Sequence, residues 1–506
     1  MFVRKLLNRS GSISIQIIDK SGRKYRVVET VGTSAEPAQI EFLWRTAHQK
    51  IPALVGQGSF DFMAETDRAI IHALRSDRNA KVRLIGPEKI VGGIFDRIGF
   101  DSIKDELFKH LVLARIVCPV SKLATTDYLE RYVGITVNIS KVYRFMDKFR
   151  RDYKAKAEQI AYAHTQKILK NKIGIVFYDM TTLYFEAQYE DDFRKQGFSK
   201  DGRPQNPQIL LGLLVSEKGY PIGYEIFEGN KFEGDTFIPV LENFQKKYHL
   251  NKPIVIADSG LLSKENIQHL SQNGYEYILG ARIKNEAEEI KNKILALNLS
   301  DGKLKQLHKE NQVRLIVGYT DKRAAKDAFN RQRGLQRLEK KLKAGKLTKA
   351  HINNKGYNKY LKLSGEIMLA IDYEKFRADA KWDGLKGYLT NTKLTAKKAV
   401  ENYNQLWQIE KAFRISKNDL KIRPVFHRLQ RRIEAHICLA FCACTVFKEL
   451  ERILQLNKSS ISPYRAIELL QTMYALTFTL PQSQQPYTIE LPMEREQELL
   501  CRCMRG

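Results

Sequence analysis

KIGIVFYDM, residues 172–180, is a run of β-branched and aromatic side chains that closes on an acid, Asp179. Such a run reads as a strand buried on both faces, because it has no polar side to offer to water. The pattern returns in KPIVIADSG, residues 252–260, which closes on Asp258. Between the two, QILLGLLVS and YPIGYEIFE read as paired strands around a turn at 217–219, and TFIPVLENFQKKY reads as a helix capped by Asp235. After Asp258 come a helix, SKENIQHLSQNG, and another strand, YEYILGA. Strands first, then strands alternating with helices, predict an α/β sheet with helices on its faces.

Working outward, residues 1–80 read as a small α+β unit. In it SISIQIID and KYRVVETVG form a hairpin broken by KSGRK, and IEFLWRTAHQKI follows as a helix. Residues 81–170 read as helical and as a possible DNA-binding region. There SKLATTDYLERYVGITVNISKVYRFMDKF gives a helix, a glycine-containing turn and a second helix from Ser140 that carries Lys141, Arg144 and Lys148. Two readings stay open: a helix-turn-helix that enters a major groove, or a helical hairpin with a solvated basic face. Residues 171–282 hold the strand and helix series, 283–383 interrupt it, 384–455 complete it, and 456–506 form a helical C-terminal region and tail. The interruption carries a basic run, 320–362, with fourteen lysines and arginines against three acids. It reads either as a solvated helical insertion or as an arm that tracks DNA phosphates. VRLIVGY and GEIMLAID beside it predict a small sheet belonging to the insertion.

The 506 residues carry 85 Lys and Arg against 57 Asp and Glu, a formal charge of +28. That balance points to a polyanion, with nucleic acid ahead of a membrane surface. The first residues, MFVRKLLNRSGSISIQ, meet charge too early for a secretory apolar core, and AHICLAFCACTVF is too short to span a bilayer. A cytoplasmic protein without a membrane partner is expected. The six cysteines lack CxxC pairs and matching histidines, so Cys438, Cys442 and Cys444 read as buried helical thiols.

Asp179 and Asp258 close apolar strands, where ligands of α/β sheets bind. The third acid of interest is Glu410, the lone acid of YNQLWQIEKAFRISK, residues 403–417. As one helix, this stretch sets Tyr403, Trp407, Glu410, Arg414 and Lys417 in a stripe beside an apolar arc of Leu406, Ile409 and Phe413. Trp407 reads as a core anchor ahead of a stacking ring, and the bland reading of Glu410 is an i,i+4 pair with Arg414. Three gathered carboxylates repel by roughly 1 to 4 kcal/mol per pair at about 4 Å, so the arrangement makes sense with bound cations. Mg²⁺ or Mn²⁺ prefers such oxygens, and two ions about 3.5–4 Å apart serve phosphodiester chemistry. Loops of the GxxxxGK[ST], HExxH and GxSxG kinds are absent.

YDMTTLYFE around Asp179, IADSGLLS around Asp258, and Tyr403, Glu410 and Lys417 together resemble the insertion-sequence-four type of DDE transposase, in the branch related to insertion sequence sixteen-thirty-four. The signature of that group is Y-(2)-R-(3)-E-(6)-K, and Leu406 stands here where its Arg should be. The resemblance covers roughly residues 172–450. It implies an RNase H-like catalytic core with an inserted subdomain, and Asp179, Asp258 and Glu410 as catalytic residues holding two Mg²⁺ or Mn²⁺ ions. It gives Tyr403 and Lys417 contacts to transposon-end DNA, with Arg414 taking the place of the missing Arg. The implied substrates are double-stranded DNA with terminal inverted repeats and target DNA, bound by a homodimer that cuts and then joins strands. Two rivals stand beside this reading: an RNase H-like nuclease without strand transfer, and a catalytically inactive DNA-binding relic.

Overall fold

The computed structural model describes residues 1–22, 24–55, 69–72, 74, 80–187, 189–248, 252–261, 263–310, 312–353, 356–364, 368–480 and 483–505. The chain forms two compact units, Met1–Lys81 with Thr477–Thr488, and Val82–Leu476 with Ile489–Gly506. In the first, the expected hairpin gains a strand: Phe2–Leu7, Ile13–Asp19 and Arg26–Ser34 form an antiparallel sheet. Helix Pro37–Leu54 lays Ile40 and Ala47 against Val3, Ile15 and Ile17.

The second unit is built on an eight-stranded mixed sheet. Its order is Leu304–His308, Arg314–Tyr319, Leu385–Thr390, Tyr277–Ala281, Ile254–Ala257, Ile175–Tyr184, Gln208–Ser216 and Pro221–Glu228. All nine residues of Gln208–Ser216 are buried, as expected for a strand covered on both sides. Alternate side chains enter two different cores. Phe177, Leu211, Leu213, Ile256 and Ile278 face a layer that contains Ile409, Phe413 and helix Gln430–Leu456. Val176, Tyr178, Leu214, Val255 and Leu279 face Phe237, Val240 and Leu270 of helices Glu233–Tyr248 and Lys264–Gln272. The architecture is therefore α/β.

Several expectations need correction. Helix Glu233–Tyr248 begins ahead of Asp235, which lies in its first turn instead of capping it. VRLIVGY does not belong to a separate insertion sheet: Arg314–Tyr319 pairs with Leu385–Thr390 and extends the main sheet. The reason is burial on both faces, since Ile316 joins one core while Leu315 and Val317 join the other. A small hairpin, Leu361–Ser364 with Met368–Ile371, does belong to the insertion. Residues 365–367 of the expected strand GEIMLAID, and Lys355 of the basic run, lie outside the described residues. The insertion is no loose arm over residues 321–343. Thr320 caps the 23-residue helix Asp321–Lys343, whose Leu335 and Leu338 pack with Tyr360, Ile371 and Phe376. Strands Tyr474–Thr479 and Pro486–Glu490 interrupt the C-terminal region expected to be helical.

Of the 81–170 region expected to be helical, Lys81–Leu84 is instead a strand, and helices dominate from Pro87 to Ile168. Asp105, Ser121 and Asn138 cap Glu106–Val117, Lys122–Tyr128 and Ile139–Lys148, each accepting a backbone N–H. The last of these helices buries Val142, Phe145 and Met146 and exposes Lys141, Arg144 and Lys148. Cys438, Cys442 and Cys444 are buried in helix Gln430–Leu456. Among the described residues no helix is long and apolar enough to cross a membrane.

Candidate active site

Two strand registers bring the aspartates together. Ile175–Tyr184 and Ile254–Ala257 run parallel, and their last paired residues are Tyr178 and Ala257. Asp179 and Asp258 are each one residue further on, so they emerge side by side from strands that lie about 4.8 Å apart. They also share a face. Asp179 has the parity of Phe177 and Asp258 that of Ile256, and both of those enter the core that contains Ile409 and Phe413. Asp179 does not end its strand, however, because the antiparallel pairing with Gln208–Ser216 continues through it to Tyr184. One oxygen of each carboxylate accepts the next backbone N–H, Met180 and Ser259 respectively, both at 2.7 Å.

The stretch 403–417 is not one helix. Ala396–Asn404, capped by Thr395, ends before Gln405, and a new helix spans Trp407–Arg414. A wider π turn, Ile415–Asp419, follows. The single stripe expected from continuous helical spacing is thereby broken. Tyr403 falls on the first helix, 3% exposed, and its hydroxyl donates to Asp258 Oδ1 at 3.1 Å. The residue expected to contact DNA thus has its hydroxyl on an acid of the site, at the wall of a cleft. Burial pushes the Tyr403 phenol up, and the neighbouring Asp258 and Glu410 carboxylates add to the shift. Trp407 is 49% exposed, which corrects its reading as a core anchor. Leu406, by contrast, packs against the core.

Glu410 and Arg414 are exposed on the second helix, which packs on the Asp179 strand and its antiparallel neighbour. Glu410 joins the same electrostatic neighbourhood as Asp258. Burial and Arg323 lower the Lys386 amine, while Asp258 and Glu410 oppose them. Lys386 Nζ also lies 4.6 Å from the centre of the Tyr403 ring. Lys417 is half-buried and 3.5 Å from Asp201, which it shares with Arg423. The preceding residue, Lys200, donates to the Met180 carbonyl at 2.6 Å and stands 3.8 Å from Asp179 Oδ1. Lys417 is therefore linked to the Asp179 end of the site through one loop.

The donor set is hard carboxylate oxygen, which fits Mg²⁺ or Mn²⁺. Among the described residues, however, no three His, Cys, Asp or Glu side chains form a group able to hold a metal ion. The fit is that of an open site: two adjoining aspartates, with Glu410 coupled to the same lysine and tyrosine. Beside Asp258 and Tyr403 a cleft of about 640 Å³ extends to the insertion helix. Its cations include Arg282, Lys284, Arg323, Arg331, Lys359 and Lys386. Asp383 holds Arg331 at 2.6 Å, and Asp379 holds both Lys284 and Lys359.

Sequence reasoning missed Lys200, Asp201, Gly280 and Lys386. For three of them no local pattern exists, since they act through residues distant in the chain. Gly280 carried a signal, an isolated glycine inside an apolar strand, which marks close approach. A Cβ there would lie 2.5 Å from the Tyr403 hydroxyl and 3.2 Å from Asp258 Oδ1. Gly280→Ala is expected to push Tyr403 off Asp258 and lower activity. The accompanying stability loss should be about 1–3 kcal/mol, the usual scale of overpacking. Urea unfolding beside an activity assay checks it, and full activity would show that the Tyr403 contact has no influence on the site.

Residues 170–447, more than half of the chain, match the family model described as the transposase DDE domain. The transposase for insertion sequence element IS231E of Bacillus thuringiensis subsp. finitimus is 26% identical over 255 residues, 46% of this chain and 50% of that protein. The transposase for insertion sequence element IS231B of Bacillus thuringiensis subsp. berliner is 30% identical over 103 residues, 19% of this chain and 22% of that protein. At best, the matched segment spans about half the length of these relatives. Among solved structures, a piggyBac transposase synaptic complex with hairpin DNA aligns with a TM-score of 0.40 at 10% identity, over 80% of this chain and 79% of that one.

Proposed function

Because the chain belongs to the transposase DDE-domain family, we propose that it cleaves DNA at the terminal inverted repeats of an insertion sequence and joins the freed ends to target DNA. The observation that carries this reading is the register that sets Asp179 and Asp258 side by side on the face covered by the Glu410 helix. The finer assignment is to the insertion-sequence-four type, with an RNase H-like core. It is supported by the hairpin of antiparallel strands that leads into parallel strands, and by the spacing of Tyr403, Glu410 and Lys417.

In this reading Asp179, Asp258 and Glu410 hold Mg²⁺ or Mn²⁺. The bound ions supply Lewis acidity toward the phosphodiester. The chain itself prepares the acids. Amides of Met180 and Ser259 restrict rotation of the two aspartates, and Tyr403 acts as a positioning residue by donating to Asp258. Arg414, exposed one turn beyond Glu410, takes the phosphate contact that Leu406 cannot make. Lys417 contacts the backbone where a DNA phosphate replaces Asp201 as its partner. Two protomers pair two element ends, and cleaved 3′-hydroxyls attack target phosphodiesters in line.

The test uses DNA carrying the element's ends, with Mg²⁺ or Mn²⁺. Cleavage at the ends is expected, and strand-transfer products from pre-cleaved ends. Cleavage without joining would replace this reading with that of a nuclease, and no cleavage with either ion would overturn it. Charge gives a further expectation, since an excess of 28 cations favours release of counterions from DNA. With roughly 6–10 phosphate contacts, affinity should fall about 10³- to 10⁵-fold between about 50 and 200 mM salt. Mobility-shift titrations across that range check it, and a flat response would contradict phosphate binding by the basic surfaces.

A further inference from the structure

The helical part of the second unit encloses basic side chains with no acid among them. Arg115 on helix Glu106–Val117 is 5% exposed, and Lys122, which begins helix Lys122–Tyr128, is 6% exposed. His427 and His436 are buried beside them, with ring centres 5.3 Å apart. Arg115 Nη1 donates to the Leu420 carbonyl at a long 3.4 Å. Among the described residues neither Arg115 nor Lys122 has a carboxylate within ion-pair distance. Asp147 holds Arg431 and Arg432, each at 2.9 Å, so its charge is already matched.

Burial of a charge is tolerated when a partner of opposite sign and hydrogen bonds come with it. Among the described residues the chain supplies no carboxylate partner to either cation, and Arg115 has only its long bond to the Leu420 carbonyl. The strain shows in the titration of the whole group. Burial lowers Arg115 to about 10. Lys122 is driven well down by burial and by Arg115. His427 falls to about 3 through burial, Lys122, Arg115 and Arg432. A second unmet group lies with them. A carbonyl oxygen accepts and never donates, so His436 Nε2 must donate to Ile422, 3.0 Å away. That tautomer leaves Nδ1 a bare acceptor, and it is buried without a hydrogen-bond partner.

We propose that Arg115 and Lys122 form a buried binding site for a phosphate-class oxyanion, with His436 at its edge. A guanidinium fork and an ammonium match the oxygens of a tetrahedral oxyanion, and two charged donors outmatch one long bond to a carbonyl. A protonated phosphate oxygen also supplies the donor that Nδ1 lacks. The oxyanion itself comes from free phosphate, which also carries that P–OH, or from a phosphodiester of DNA, which offers only its acceptor oxygens. The site uses none of the residues assigned to cleavage, so it stands or falls independently of that assignment.

The test is equilibrium dialysis of the full chain, freed of phosphate and sulfate, against radiolabelled inorganic phosphate at constant chloride. One saturable phosphate per chain is expected above the weak background of a basic surface. Lys122→Met, which keeps length and removes charge, should abolish that phosphate. It should also melt at a higher temperature than the wild type in chloride, because an uncompensated buried cation is gone. Arg115→Lys, which keeps charge and loses the fork, should weaken binding about tenfold or more. A short DNA oligonucleotide added to the loaded protein identifies the source: release assigns the site to a phosphodiester, and retention assigns it to free phosphate. Absence of a saturable site in the wild type, or unchanged binding in both variants, overturns the proposal.

Discussion

Asp258→Asn is expected to leave the chain folded and able to bind element-end DNA while lowering strand cleavage roughly 10³-fold or more, about 4 kcal/mol of transition-state stabilisation. The substitution is nearly isosteric. Its amide oxygen still accepts from Ser259 N and from the Tyr403 hydroxyl, so the local hydrogen bonds survive. What disappears is the negative charge, which is the property a hard divalent cation needs. Asp179→Asn should behave alike, since the strand register makes the two acids equivalent neighbours. The double variant should be little worse than either single one, because groups that act as a unit are not additive. Gel assays of cleavage and binding, with a melting curve for each variant, decide the matter. Cleavage within tenfold of wild type in both single variants would remove these acids from the chemistry.

Glu449→Gln is expected to have the largest effect on stability. Glu449 lies in helix Gln430–Leu456, nearly buried, and accepts from the Tyr220 hydroxyl at 2.8 Å and from two Arg452 nitrogens at 2.7 and 2.8 Å. His164 Nε2 is 3.4 Å away. Burial alone would raise this carboxyl, yet hydrogen bonds from Arg452 and Tyr220, with the His164 ring close by, outweigh it and hold the group at about 2. Relative to its ordinary 4.5, that depression corresponds to roughly 3 kcal/mol of folding stability at neutral pH. The sign follows from proton binding. The unfolded chain takes up this proton more readily, so the stabilisation is whole above about pH 4.5 and fades as pH falls toward 2. Urea unfolding at pH 7 should show the variant about 3 kcal/mol weaker, with the gap narrowing in acid. An equal gap at both extremes would mean that the carboxylate charge is not what the network uses.

Much of the fold can be read from hydrophobic period alone. The runs that contain Asp179 and Asp258, the hairpin at 217–219 and the helix after Ser263 all appear where local pattern puts them, because a strand covered on both faces and a capped amphipathic helix are written in neighbouring residues. The three acids of the candidate site were visible for the same reason. Legibility ends where the partner is remote. VRLIVGY looks the same whether it pairs inside an insertion or at the edge of the main sheet, and pairing with Leu385–Thr390 decided it. The break at Gln405 and Leu406 is similarly hidden, because 403–417 contains no proline or glycine to stop a helix. Its cause is tertiary: Tyr403 reaches Asp258, while Ile409 and Phe413 enter the core beneath the sheet.

The sequence by itself determined that this is a basic α/β protein with two strand-borne aspartates and a helical glutamate, since composition and periodicity are local properties of a chain. Only the tertiary structure decided that Tyr178 pairs with Ala257, that the buried Tyr403 reaches Asp258, and that Arg115 and Lys122 are buried. Strand register and burial come from contacts between distant segments, whose energies a local pattern does not encode.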